Sequence, residues 1–183
     1  SYSDEQILAL RENSLNKLTQ MAADYEEWTE RIEVILPEQT AMAAPYLREF
    51  RDGLIVFALR AQHAVMVYET AITLRQALST GSLEEVNSAY EGVLASRGIT
   101  DSARTIIHRR EEDYRYPLEL SIAGDEPGTS GAIDNKTIYP YRYLSRTHRL
   151  FYWSRPDDQL ASLFGEGLSL VNPNRRLLLH EHP

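Results

Sequence analysis

The residues with the clearest chemical character lie between Lys136 and Arg155. These twenty residues contain five basic side chains, four tyrosines, one phenylalanine and one tryptophan, and no acidic side chain. Guanidinium groups pair with carboxylates and phosphates through planar, two-point hydrogen bonds. Aromatic rings next to such cations suit a sugar, a phosphate or an acidic partner surface. The composition therefore predicts a contact surface for a protein partner or a polar ligand such as a carbohydrate or a phosphate.

Eight residues of this stretch are the candidate binding residues. If the chain is extended, the tyrosines at alternate positions point to one side and Arg142 points to the other. If it is helical, the arginines at spacings of four and three share one face. The candidates are Tyr139, Tyr141, Arg142, Tyr143, Arg146, Arg149, Tyr152 and Trp153.

A structural role for the same stretch stays open. A long irregular segment over an acidic helical body would use its aromatic side chains as anchors and pair its arginines with acidic residues such as Glu26 and Glu30. Loops longer than about 12–15 residues are uncommon unless they are functional or disordered. The aromatic content argues against disorder here. The sequence supports both a binding and a structural interpretation.

Known catalytic and metal-binding patterns are missing from the sequence. The chain has no cysteine, which excludes disulfides, Cys-based zinc sites and a thiol nucleophile. It has no Gly-x-Ser-x-Gly elbow, no phosphate-binding glycine loop and no His-Glu-x-x-His sequence. No glutamate is followed three residues later by a histidine, so a di-iron site is not expected and His63 is interpreted as a hydrogen-bonded core residue. We expect no metal and no cofactor.

The alternative is a helical enzyme or an accessory domain of a carbohydrate-active hydrolase. It would use two carboxylates facing the aromatic stretch, because glycosidases work with a pair of carboxyl groups about 5–9.5 Å apart. The candidates for that pair are Glu111, Glu112, Asp157 and Asp158. A pocket that holds two of them would favour the enzyme, and carboxylates scattered over solvent-exposed faces would argue against it.

Charge is distributed unevenly along the chain. The formal net charge is −8, and residues 1–99 carry 15 acidic against 8 basic side chains while residues 100–183 carry 12 against 11. This acidity argues against a general nucleic-acid binder. No apolar run approaches the roughly 18 residues that span a membrane. Because the first residues lack the pattern of a signal peptide, the default expectation is a cytoplasmic location.

Hydrophobic periodicity predicts two long helices in the first half of the chain. The first begins at Ser3, which forms a capping box with Gln6, and ends at Pro37. The second begins near Pro45, a residue suited to the first helical turn, and ends near Gly81. The similar lengths predict an antiparallel pair.

Shorter helices are predicted in the second half. One is capped by Ser82 and ends before Gly98, and the next is capped by Thr100. A final short helix opens at Pro156 and is closed by Gly165. The short connections between the first four helices predict neighbours that pack side by side.

The sequence as a whole predicts a mainly α fold, with an antiparallel bundle of two long and two shorter helices. Residues 1–122 form the bundle, and residues 123–183 form an irregular segment, rich in arginine and tyrosine, that packs on it within one domain. We expect a non-catalytic binding or scaffolding module. A homo-oligomer is a further expectation if apolar faces of the second helix stay exposed in the monomer.

Overall fold

The structure, a computed structural model, describes residues 3–113 and 151–171. These residues are almost entirely helical and contain no strand, which confirms the mainly α prediction. None of their helices is long and apolar enough to cross a membrane. The helices are α1 (Asp4–Leu10), α2 (Asn16–Ile35), α3 (Ala44–Thr80), α4 (Leu83–Asp113) and α5 (Phe151–Val171).

The predicted first helix is present, with a local change of winding. A π-helical turn at Arg11–Leu15 joins α1 to α2 without a break in the helical backbone. At the start, the N–H of Ser3 donates to Oε1 of Gln6 at 2.8 Å and the N–H of Gln6 donates to Oγ of Ser3 at 3.2 Å. This is the predicted capping box. At the other end, a short 3-10 turn at Leu36–Glu38 follows α2, because Pro37 cannot continue the backbone hydrogen bonds.

The second long helix and its end also follow the prediction. Pro45 lies in the first turn of α3, where its missing N–H costs no helical hydrogen bond. Gly81 ends the helix with φ of 68°, a left-handed conformation that glycine adopts without steric penalty. Ser82 then caps α4, since its Oγ accepts a hydrogen bond from the N–H of Glu85 at 3.3 Å.

Helix α3 is central and has neighbours on both sides. Glu33 pairs with Arg51 and Glu69 pairs with Arg11, so the first helix and α3 run in opposite directions. On the other side, α3 packs against α4 and α5. The apolar core between α3, α4 and α5 includes Leu74, Ala77, Val86, Ala89, Val93, Leu160 and Phe164.

The prediction that two short helices flank Gly98 is wrong, because α4 continues from residue 83 to residue 113. Gly98 is exposed and causes no break. Thr100 is not a cap, because this residue lies in the interior of α4. Its hydroxyl donates a hydrogen bond to Asp157 of α5. Burial of one continuous face of α4 offsets the cost of about 1 kcal/mol for an interior glycine.

The predicted bounds of the last helix are also wrong. Helix α5 begins at residue 151, contains Pro156 in its interior and continues past Gly165 to residue 171. Trp153, Leu160 and Phe164 recur at helical spacing and are all about 2% exposed. Burial of this face stabilises a helix that includes Pro156, although an interior proline removes one backbone hydrogen bond.

Candidate functional site

Most of the predicted binding stretch lies outside the described residues. This holds for six of the eight candidates and for the proposed domain boundary between residues 122 and 123. The backbone of Tyr152 belongs to α5, but its side chain is not among those described. The six residues are Tyr139, Tyr141, Arg142, Tyr143, Arg146 and Arg149.

Trp153, the last candidate, lies in the core. Its side chain is 2% exposed and packs with Val56 of α3 and with Ile107 of α4. Its ring lies 5.4 Å from the ring of His63, and the guanidinium carbon of Arg60 lies 5.2 Å from its centre. The ring therefore anchors α5 to the α3–α4 pair. Composition could not separate an anchor from a surface contact, because both use a large aromatic side chain.

Next to Trp153 lies a group of buried polar side chains from three helices, which we call the α5 polar cluster: Asp157, His63, Thr100 and Ser96. The Nε2 atom of His63 lies 2.8 Å from Oδ1 of Asp157. The hydroxyl of Thr100 donates to Oδ2 of Asp157 at 2.7 Å. The hydroxyl of Ser96, one turn before Thr100, donates to the Val93 carbonyl at 3.0 Å and lowers the pKa of the nearby Asp157 carboxyl. One carboxylate thus joins α5 to α3 and α4.

The α5 polar cluster is shielded from solvent. The four residues are exposed by 3% or less. Burial by itself raises the pKa of Asp157, but hydrogen bonds from His63, Thr100 and Ser96, with the charge of His63, outweigh it, so the pKa lies below its usual value. Asp157 is therefore ionised at neutral pH. Because a carboxylate only accepts hydrogen bonds, Nε2 of His63 carries the proton between them.

The residue types of this cluster resemble those of an acyl-transfer triad, but the hydrogen bonds connect them in a different order. In a triad the nucleophilic hydroxyl binds the histidine, and the carboxylate orients that histidine from the other side. Here the hydroxyl of Thr100 binds the carboxylate of Asp157 directly, and the hydroxyl of Ser96 donates to a backbone carbonyl. The arrangement is therefore suited to holding three helices together.

The proposed pair of catalytic carboxylates receives no support from the two aspartates of α5. Asp157 is buried in the α5 polar cluster, whereas Asp158 is exposed. Neighbouring residues of a helix point about 100° apart, so these two carboxylates do not share one face. The side chains of Glu111 and Glu112 lie outside those described.

The prediction that His63 is a hydrogen-bonded core residue is confirmed, but its partners were not predicted. One signal was present. Asp157 falls between Trp153 and Leu160 at helical spacing, so an acidic residue lies on the apolar face of α5. An acid at such a position must find hydrogen-bond donors when the face is buried. Which donors meet it depends on how α3 and α4 pack.

A second buried carboxylate links α3 to α4 near the C-terminal end of α4. Asp52 is 5% exposed, and its Oδ1 accepts hydrogen bonds from Arg51 at 2.8 Å and from Arg109 at 2.7 Å. Arg110 lies close by, with Nη2 3.6 Å from Oε1 of Glu49. Opposite charges are matched at this junction, which is consistent with a role in helix packing.

Neither metal chemistry nor a known family explains these clusters. Among the described residues, no group of three or more histidine, aspartate or glutamate side chains could hold a metal ion. Comparisons with protein-family models, curated proteins and solved structures give no match.

Proposed function

We propose that this protein is a non-catalytic helical binding or scaffolding module that contacts a protein partner or a polar ligand through residues 139–152, the stretch that precedes the buried Trp153. One observation supports this proposal above others. Among the described residues, the groups best suited to acid–base chemistry are His63 and Asp157. They are 1% and 2% exposed and are hydrogen-bonded to each other. In this proposal the two side chains stabilise the packing of the helices, because each is shielded from solvent and bonded to the other.

In this proposal the helices form a bundle, and residues 123–183 pack on it as part of the same domain. Trp153 supports this arrangement, since it is buried between α3 and α4 and ends the binding stretch at a fixed point. A binding segment that is anchored at one end loses less conformational entropy when it meets its partner. The side chains that contact the partner or ligand would then be those of the arginines and tyrosines that precede Trp153.

The first test uses two doubly substituted variants with the same loss of charge. One is Arg142→Ala with Arg146→Ala, within the proposed binding stretch. The other is Arg48→Ala with Arg97→Ala, two exposed arginines of α3 and α4. Trp153 is left intact because its removal would change folding as well as binding.

Two probes represent the two classes of ligand: a twenty-residue polyglutamate peptide for an acidic protein surface, and maltohexaose for a neutral carbohydrate. Isothermal titration at low ionic strength should show that one probe binds the wild type. The Kd should rise at least tenfold in the first variant and less than twofold in the control. If both variants bind the probe equally well, the stretch is not the contact surface and the proposal is wrong.

A further inference from the structure

An aromatic face runs along one side of the α2–α3 pair; we define it as Met21, Trp28 and Ile35 of α2 with Phe50 and Phe57 of α3. Trp28 is 54% exposed, Phe50 57% and Phe57 46%. Met21 and Ile35 are 38% and 43% exposed. Large apolar side chains exposed together are unusual on a monomer and mark surfaces that meet another molecule.

The two helices contribute to one continuous face. Met21, Trp28 and Ile35 follow each other at intervals of seven residues, so they share one side of α2. The ring of Tyr25, one turn from Trp28, stacks on Phe57 with the ring centres 5.6 Å apart. Since α2 and α3 are antiparallel, the turn of α2 that holds Trp28 lies beside the stretch of α3 between its two phenylalanines.

The face supplies much of the apolar area that one side of an ordinary protein interface needs. A buried aromatic side chain covers about 150–250 Å², so three that are half exposed leave about 300 Å² for a partner. A standard interface needs about 800 Å² on each side, of which roughly 450 Å² is apolar. Met21 and Ile35 supply part of the remaining apolar area.

The charges around Trp28 are self-complementary. Asp24 lies four residues before it and Arg31 three residues after it, on nearly the same side of α2. If a second copy of α2 crosses antiparallel with the twofold axis beside Trp28, each Asp24 meets the Arg31 of the other copy. Twofold symmetry forms this pair twice, as an isologous interface requires.

We propose that the occupant of the aromatic face is a second copy of this chain, docked around a twofold axis beside Trp28. The axis brings the two tryptophans together and forms two pairs between Asp24 of one copy and Arg31 of the other. Within one copy, Arg31 pairs with Glu27 and lies 5.6 Å from the centre of the Trp28 ring. Its side chain is 64% exposed, which leaves it accessible to a carboxylate of the partner. The residues of this interface are different from those of the proposed binding stretch.

Sedimentation equilibrium of the full chain tests the dimer, since one copy has a mass of 20.9 kDa. The wild type should have twice that mass at about 50 μM, and Trp28→Lys should weaken the dimer at least thirtyfold. Val34→Lys is the matched control, because Val34 is 75% exposed on another side of α2 and should leave the dimer unchanged. A wild type that stays monomeric at this concentration, or a Trp28→Lys variant that dimerises normally, overturns the proposal.

A charge exchange tests the symmetry. Asp24→Arg alone and Arg31→Asp alone should each weaken the dimer about tenfold, whereas the double exchange should restore it to within threefold of the wild type. The exchange of Asp101 and Arg104, an exposed pair on α4, is the control and should have no effect. If the double exchange is as weak as either single variant, Asp24 and Arg31 do not pair across a twofold axis, and the proposed geometry is wrong. Circular dichroism verifies that each variant keeps its helicity.

Discussion

The carboxylate of Asp157 and the imidazole of His63 are hydrogen-bonded at 2.8 Å across 94 residues of sequence. This contact fixes where α5 lies along α3, because a buried ionised group cannot slide to a position without donors. Thr100 bonds to the other oxygen of the same carboxylate and fixes the position of α5 against α4. A single acidic residue therefore specifies the register of one helix against two others.

Replacement of Asp157 should destabilise the fold strongly. We expect Asp157→Ala to lower the free energy of unfolding by about 3 kcal/mol, because it removes one partner of a buried pair and leaves the other donors unsatisfied. Asp158→Ala is the matched control, since the neighbouring side chain is exposed and should change stability by less than about 0.5 kcal/mol. Urea denaturation followed by circular dichroism measures both values. Equal values for the two variants would contradict a stabilising role for the α5 polar cluster.

The same carboxylate should make stability depend on pH in acid. The pKa of Asp157 is lowered in the folded state, whereas an unfolded aspartate titrates at about 3.9. The stabilisation that the Asp157 carboxylate gives the fold is therefore present above that pH and is lost as the pH falls through the lower folded pKa. The melting temperature of the wild type should therefore fall as the pH drops below about 4. In Asp157→Asn the fall should be shallower. Parallel pH profiles for the two proteins would show that Asp157 is not the group responsible.

Two glycines of α4 should respond in opposite directions to the same substitution. A Cβ atom built on Gly92 would lie 2.1 Å from Oγ1 of Thr70 on α3, whereas one built on Gly98 meets nothing within 4 Å. Gly92→Ala should destabilise by about 1–3 kcal/mol, because two closely packed helices would have to separate. Gly98→Ala should stabilise by about 0.5–1 kcal/mol, because alanine favours the helical backbone. Thermal unfolding measures both shifts, and a stabilised Gly92→Ala would mean that α3 and α4 are not in close contact there.

Trp153 should behave as a core residue in folding experiments. Trp153→Ala removes a side chain that is 2% exposed and should cost about 3–5 kcal/mol. Leu163→Ala, in the same helix but 52% exposed, should cost less than about 1 kcal/mol. Denaturant titration with helicity as the signal compares them. A small effect of Trp153→Ala would place this ring on the surface and return it to the set of contact residues.

The ends of the helices show which boundaries can be predicted from local sequence and which cannot. The caps at Ser3 and Ser82 and the stop at Gly81 were predicted correctly, because each depends on hydrogen bonds or backbone angles within a few residues. Gly98 and Pro156 were predicted as boundaries and are not. At these two positions, packing of a continuous apolar face against α3 outweighs the local cost of a glycine or a proline.

The helical class, the first two long helices and the core role of His63 follow from the sequence alone, since periodicity and capping are short-range properties of the chain. The anchoring role of Trp153 and the contacts of Asp157 with Thr100 and His63 follow only from the packing of the helices. Both depend on how α5 docks between α3 and α4, which lie far from it in sequence. A carboxylate on an apolar stripe indicates that donors are needed, and only the packed helices show which residues supply them.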